Sequence, residues 1–449
     1  MPMKTESINL VTAIPGPKAT ELLKRRGEHV PRGPFNTVPS FIAKGEEALV
    51  TDVDGNTLID FGGAIGSLNA GHCPPTVVEA LKTQIEKYLH PCFHVMMYEP
   101  YIELAEKLNE ITPGAHKKKT FFLSSGAEAV ENAIKIARKY TGRRAIISFE
   151  RGFHGRTYMA MSLTSKVKPY KNGFGPFAPD TYKMPYPYYY RAPEGMTMDE
   201  VDEQILKQFQ TFFLSEVPAE EVAAVIMEPV QGEGGFVIPS KNFIQKVKQI
   251  CEEYGILFIA DEVQTGFGRT GKMFAMEHFE VIPDLMTMSK SIAAGLPISA
   301  VTGKAEIMDA PLSGEIGGTY GGSPLGCVAA LEVIKMMEKE NLPERANKIG
   351  ETIIRFFQEI RDDIPFIGEV RTLGAMTSIE IVKNRSGKEP NKELTGKILQ
   401  NAHQRGLILM SAGLYGNIIR ILSPLVITDE QLLEGLGVLK EVMLELREG

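Results

Sequence analysis

The sequence predicts an α/β protein: a mostly parallel sheet flanked by helices, followed by a smaller α+β unit. Three observations lead there. "AAVIMEPV" (223–230) and "GILFIADEV" (255–263) are short apolar runs of the kind that strands buried on both faces require. Amphipathic segments such as "KNFIQKVKQICEEYG" (241–255) lie between such runs, which is the alternation of a parallel sheet with helical crossovers. After about residue 335 the texture changes to a helix, the strands of "GEVRTLGAMTSIEIV", another helix, "GLILMSAG", "NIIRILSPL" and a last helix.

The elements follow in order. Residues 1 to about 40 are rich in Pro, Gly and charge and read as an arm with one short helix, "KATELLKRRGEHV". "ALVTDVDGNTLIDFGG" alternates apolar and polar residues around Asp54-Gly55, a hairpin signal. The α/β alternation starts near residue 75, and "PYPYYYRAPEGMTMDE" reads as an inserted loop. The expected division is an arm and hairpin segment (1–75), a large domain (76–334) and a small C-terminal domain (335–449). A chain of 449 residues exceeds what one core normally serves, so more than one unit is expected.

Bulk properties exclude several functions. Net charge is −7, from 49 basic and 56 acidic residues, with no long basic run. Nucleic acid and anionic membrane are therefore poor partners. No apolar run approaches the roughly 18 residues of a membrane span, and the N-terminus has no signal-peptide core. Cys73, Cys92, Cys251 and Cys327 lie far apart without a C-x-x-C pair. Reduced thiols in a cytoplasm are expected, and no metal site.

Three stretches carry chemistry. In "FFLSSGAEAVENAIKIARKY" a strand runs into a helix whose Ser125 and Glu128 form a capping pattern. A small-residue turn there also leaves backbone N–H groups at Ser125, Gly126 and Ala127 suited to a phosphate. In "ILFIADEVQTGFGRTGKM", Asp261 and Glu262 end a buried strand, where α/β sheets place ligands. Gly266 to Lys272 nearly matches a phosphate-binding P-loop. However, Met273 stands where Ser or Thr belongs and no strand leads into Gly266, so an ATPase reading is disfavoured. In "DLMTMSKSIAAGLPIS", Lys290 is a lone cation among small and apolar residues, 29 positions after Asp261. Alone it would read as a surface lysine. An amine, a strand-end carboxylate and a phosphate-ready helix terminus are together what pyridoxal 5′-phosphate (PLP) needs.

"SSGAEAVENAIKIAR", "FHGRT", "EPVQGEGG", "ADEVQTGFGRTG", "SKSIAAGLP" and "GGTYGGSPL" resemble, in order, the class III, fold-type-I PLP aminotransferases, and most closely the 4-aminobutyrate (GABA) aminotransferases. The resemblance implies that Lys290 forms the Schiff base and moves the proton. It implies that Asp261 partners the ring nitrogen, that Gln264 meets the ring hydroxyl, and that Val263 and Phe153 flank the ring. Gly126 and Ala127 match the phosphate-binding backbone, and Thr319 matches a phosphate ligand donated by the neighbouring subunit of a homodimer. Arg156 resembles the clamp for the distal carboxylate, Arg420 the ligand of glutamate's α-carboxylate, and Glu233 the acid that covers Arg420 when the substrate lacks one. Either arginine alone would read as a salt-bridge residue. Glu228 belongs to the supporting network, and Ile65 stands where ornithine enzymes carry tyrosine. "GHCPPTVVEA" departs from the family's usual G-H-x-H-P, and His72 and His154 are read as local structural residues. The implied reaction moves an amino group from GABA to 2-oxoglutarate. The alternatives are another ω-amine (ornithine, acetylornithine, 5-aminovalerate, β-alanine or lysine), a PLP-dependent racemase, or a scaffolding protein without PLP.

Overall fold

The computed structural model describes residues 3–448. Two compact units emerge. One spans Thr76–Pro343; the other combines the residues up to Pro75 with those from Glu344 onward.

In the unit 76–343, seven strands form one sheet in the order Lys118–Leu123, Ser299–Lys304, Leu285–Met288, Leu257–Asp261, Val222–Met227, Ala145–Phe149, Thr181–Met184. Ser299–Lys304 runs antiparallel to both neighbours, and the other adjacent pairs are parallel. Every residue of Val222–Met227 and Leu257–Asp261 is buried, as continuous apolar strands between helical layers must be. Helix Gly126–Thr141 lays Ala129, Val130, Ala133, Ile134 and Ala137 into a core with Ile226, Ile259 and Leu285. Its start is the expected capping box: the Ser125 hydroxyl accepts from the Glu128 N–H, and the Glu128 carboxylate accepts from the Ser125 N–H at 3.0 Å. Gly142 ends it at φ 69°, the left-handed conformation that glycine adopts without a Cβ penalty.

In the other unit, Leu49–Asp52 and Thr57–Asp60 form the hairpin, and Gly55 takes φ 92° at its turn. A four-stranded antiparallel sheet contains Ile367–Leu373, Met376–Ile381, Ile418–Ile421 and Met410–Ala412. Helices Lys392–Gln404 and Asp429–Glu448 belong to the same unit.

Three expectations shift. The break placed at 334/335 falls inside the continuous helix Pro324–Lys339. Residues 1–75 do not stand apart from the C-terminal segment, because strand Leu407–Ile408 pairs in parallel with Thr57–Asp60. Such pairing between segments about 350 residues apart leaves no local mark in sequence. The loop "PYPYYYRAPEGMTMDE" ends early: its last three residues open helix Met198–Ser215, capped by Thr197 and Glu200. Gly266–Lys272 runs through consecutive turns, not from a strand into a helix, which removes the context a P-loop needs. Among the described residues, no helix is long and apolar enough to cross a membrane.

Candidate active site

Adjacent parallel strands Leu257–Asp261 and Leu285–Met288 deliver the two central residues. Asp261 is in register with Thr287, so both chains leave the sheet at the same C-terminal edge. Lys290 follows within one turn at φ 50°, a left-handed conformation uncommon for a residue with a side chain. Such strain persists where the surroundings over-determine the backbone, which is common at functional sites.

A cavity of about 320 Å³ opens at this edge. It is lined by Gly126, Ala127, Phe153, Arg156, Glu228, Glu233, Asp261, Val263, Gln264 and Lys290. His154, Gly155 and Ser289 complete the lining; the other ten come from motifs scattered over 165 residues of chain, most of them nominated only through the family resemblance. A larger groove of about 540 Å³ lies along helices Met198–Ser215 and Lys241–Tyr254. It gathers surface charges and no buried acid at a strand end, so size does not mark the site.

Asp261 is 3% exposed. A buried carboxylate is costly unless donors surround it. Its Oδ2 lies 2.7 Å from His154 Nδ1, while Oδ1 accepts from Thr287 Oγ1 at 3.1 Å and from the Val263 N–H at 3.2 Å. Glu228 accepts from the Phe153 N–H and the Gly232 N–H, each at 2.8 Å. Burial pushes the Glu228 carboxyl up to about 7; the charge of Asp261 adds to this, while His154 and the two backbone donors oppose it. The bond from Phe153 ties its backbone to the end of the Val222–Met227 strand.

Glycines clear the space. A Cβ on Gly126 would come within 2.9 Å of Val263 Cγ1, and one on Gly232 within 1.9 Å of Gln264 Oε1. Gly232 therefore allows Gln264 to lie against the backbone. Gly126 keeps the first turn of its helix bare, with N–H groups available to an anion.

The other nominated residues lie elsewhere. Ser125 caps the helix beside the cavity. Thr319 is exposed, and its carbonyl accepts from His90 Nε2 at 2.6 Å. Ile65 and Arg420 belong to the other unit. Ile65 takes φ 63° in the turn Gly63–Gly66, a genuine outlier for a β-branched residue. That turn hangs on Asp60, whose Oδ1 accepts from the Gly62 and Gly63 N–H groups and whose Oδ2 meets His72 Nε2 at 2.9 Å. His72 is thus structural. Arg420 is 3% exposed on strand Ile418–Ile421.

One residue escaped sequence reading, Tyr170, and His154, read as a local structural residue, turns out to hold Asp261. His154 carried a signal: it follows Phe153 in "FHGRT", and a buried imidazole needs a partner. Tyr170 sits in an irregular loop with no periodicity to mark it, yet its hydroxyl donates to Glu233 Oε2 at 3.2 Å.

The donor set fits PLP: a buried anion for the ring nitrogen, an amine, an amide and a bare helix N-terminus, around a cavity within the usual size range of ligand pockets. An α/β scaffold with this edge site defines a PLP-dependent transferase of fold type I. A family model for class-III aminotransferases matches residues 32–443. The chain belongs to the class-III aminotransferases, which are PLP-dependent. It is 57% identical to a probable 4-aminobutyrate aminotransferase of Bacillus subtilis, covering 93% of this chain and 96% of that one. It is 46% identical to a 5-aminovalerate aminotransferase of Pseudomonas aeruginosa, covering 95% and 98%. Among solved structures, a transaminase from a marine Virgibacillus superposes with a TM-score of 0.88 at 29% identity, covering 95% and 99%.

Proposed function

We propose that this protein is a cytoplasmic, homodimeric enzyme that transfers the amino group of GABA to 2-oxoglutarate, giving succinate semialdehyde and glutamate. The observation that carries the reading is the gathering of Lys290, buried Asp261, Arg156 and Glu233 around one cavity. The names of the relatives support the choice of amine.

PLP, when bound, supplies an electron sink for the carbon that loses its proton. The chain's own residues do the rest. Asp261, anchored by His154, Thr287 and the Val263 N–H, holds the proton on the ring nitrogen. Lys290 Nζ would hold the cofactor between turnovers and, once freed, would take the proton from the substrate's amine-bearing carbon. Phe153 and Val263 would hold the ring between them, Gln264 would bind its hydroxyl, and the Gly126 and Ala127 backbone would bind its phosphate. Thr319 contributes to the partner protomer's phosphate site.

A guanidinium makes a planar two-bonded fork with a carboxylate. Arg156 holds the carboxylate remote from the reacting amine in both substrates. The family resemblance assigns Arg420 to the α-carboxylate of glutamate and Glu233 to substrates that lack one. Glu228 supports the frame, and Ile65 borders the substrate.

Two relatives are named 5-aminovalerate aminotransferases, and 5-aminovalerate is one methylene longer than GABA. A panel of GABA, 5-aminovalerate, β-alanine, ornithine, acetylornithine and lysine with 2-oxoglutarate tests the reading. The highest kcat/KM is expected for GABA, and a tenfold advantage for another amine overturns it. Borohydride reduction and peptide mapping should place the pyridoxyl group on Lys290.

A further inference from the structure

Two lysines meet at one carbonyl outside the cavity. Lys183 lies on strand Thr181–Met184, at the edge of the seven-stranded sheet, and its Nζ donates to the Ser162 carbonyl at 3.0 Å. Lys171 Nζ donates to the same oxygen at 3.4 Å and lies 4.7 Å from the centroid of the Phe177 ring. The two amines also hydrogen-bond each other. Both side chains are half-buried. Among the described residues, no carboxylate forms an ion pair with either lysine.

We propose that Lys183 is a modification site that takes up carbon dioxide reversibly as a carbamate, with the Lys171 ammonium as partner of the new anion. Two ammonium groups in contact repel, and a hydrogen bond between them needs one lone pair, so one amine must be neutral. The surroundings decide which. The Phe177 ring face favours the charge on Lys171. Burial pushes the Lys183 amine from an ordinary 10.5 down to about 8, and the charge of Lys171 and its hydrogen bond add to this. Burial also lowers Lys171, but there the hydrogen bond to Lys183 opposes it. Lys171 is therefore the ammonium donor and Lys183 the amine. A lysine desolvated beside another cation is an activated nucleophile.

The step needs no oxidant or reductant. The Lys183 lone pair forms a bond to the carbon of carbon dioxide, one C–O π bond opens to an oxyanion, and the nitrogen releases one proton to water. The carbamate nitrogen keeps an N–H for the Ser162 carbonyl. Its carboxylate turns a like-charge contact into an ion pair with Lys171. This second gain separates carbon dioxide from acyl donors, because an amide would cancel the charge of Lys183 and leave Lys171 without an anion. The residue before Lys171 is Tyr170, whose ring centroid lies 4.6 Å from the Arg156 guanidinium carbon and whose hydroxyl donates to Glu233. The carbamate would thus tie the edge strand to the loop that touches the cavity's lining.

The test equilibrates the holoenzyme with carbon-13 bicarbonate at the pH where Lys183 is half ionised. Triethyloxonium then traps carbamates as ethyl esters for peptide mapping. A carbamate resonance in the carbon-13 spectrum and a trapped ester on Lys183 are expected, and both should vanish in Lys183→Arg. Lys171→Met keeps the nucleophile but removes the charge that helps to free it and the partner of its product. Both losses act in the same direction, so the trapped fraction on Lys183 should fall by on the order of threefold, within the range of one partly exposed charge pair. No ester on Lys183 at saturating carbon dioxide, or an ester on the N-terminal amine alone, overturns the proposal. So does an undiminished fraction in Lys171→Met. If acetyl phosphate acylates Lys183 where carbon dioxide leaves it unlabelled, the amine is reactive but the carbamate falls.

Discussion

His154 and Asp261 show how one contact changes the reading of a residue. In the sequence His154 is one of eight histidines, with no spacing that suggests a ligand. In the structure it is 4% exposed and supplies the donor to Asp261 Oδ2. His154→Ala leaves that oxygen without its protein donor. The expected cost is about 1–3 kcal/mol of unfolding free energy in the apoprotein, together with loss of most transamination. Urea unfolding and single-turnover rates check both, and wild-type values for the variant would show that Thr287 and the Val263 N–H suffice. Glu233 gives the complementary case, because its proposed work is electrostatic. Removing the charge of a half-buried carboxylate beside the cavity changes how the site receives substrates of one and of two carboxylates. Glu233→Ala should therefore slow the GABA half-reaction far more than the glutamate half-reaction, read by absorbance in single turnovers. Equal slowing of both would refute that role.

Strand ends organise the element scale. Val222–Met227 and Leu257–Asp261 are adjacent and parallel, and each is followed immediately by a buried glutamate, Glu228 and Glu262. Glu262 binds the following loop back on itself: its carboxylate accepts from the Thr265 hydroxyl and, at 2.8 Å, from the Met276 N–H. Burial pushes its carboxyl up to about 7 from an ordinary 4.5; the charge of Glu277 adds, and the Thr265, Met276 and Ala275 donors oppose. Below the ordinary value both folded and unfolded chains hold the proton, and the group is neutral to stability. As pH rises toward 7 the unfolded chain releases the proton while the folded one keeps it, so stability falls. Above 7 the full penalty remains, about 3 kcal/mol as an upper figure. Glu262→Gln should therefore flatten the loss of stability between about pH 5.5 and about pH 8, measured by urea unfolding at both. An unchanged slope would show that Glu262 is ionised throughout. The capping box at Ser125 and the hairpin at Asp54-Gly55 were legible because their signals span four residues or fewer. The extra residues of helix Met198–Ser215 within the supposed loop were missed because tyrosines and prolines upstream dominated the texture.

At the scale of the whole molecule, Val95, Met96 and Met97 are 82%, 72% and 74% exposed. Three consecutive apolar side chains left in water mark a surface awaiting a partner. The neighbouring histidines are tied to the loop that bears Thr319: His90 Nε2 donates to its carbonyl, the His90 ring stacks on Tyr320 at 4.9 Å, and the Gly318 N–H donates to His94. A second copy covering this surface would order the loop as it buries the apolar side chains. Met97→Asp should shift the protein toward monomer in sedimentation and weaken PLP binding by about tenfold or more, since desolvating a new carboxylate costs on the order of several kcal/mol. A stable dimer with unchanged PLP affinity would move the interface elsewhere.

The α/β class, the capped helix, and the strand ends at Asp261 and before Lys290 were determined by the sequence itself. These signals are local: apolar runs, capping pairs and short motifs that bond or pack within a few residues. The motif resemblance extended them to a cofactor and a reaction. Tertiary structure alone decided that 1–75 and the C-terminal segment form one unit, that the helix at 334 is unbroken, that His154 anchors Asp261, and that Tyr170 stands between Arg156 and Glu233. Each of these depends on residues far apart in the chain, brought together by strand pairing and packing, and a contact of that kind has no spacing in sequence from which to read it.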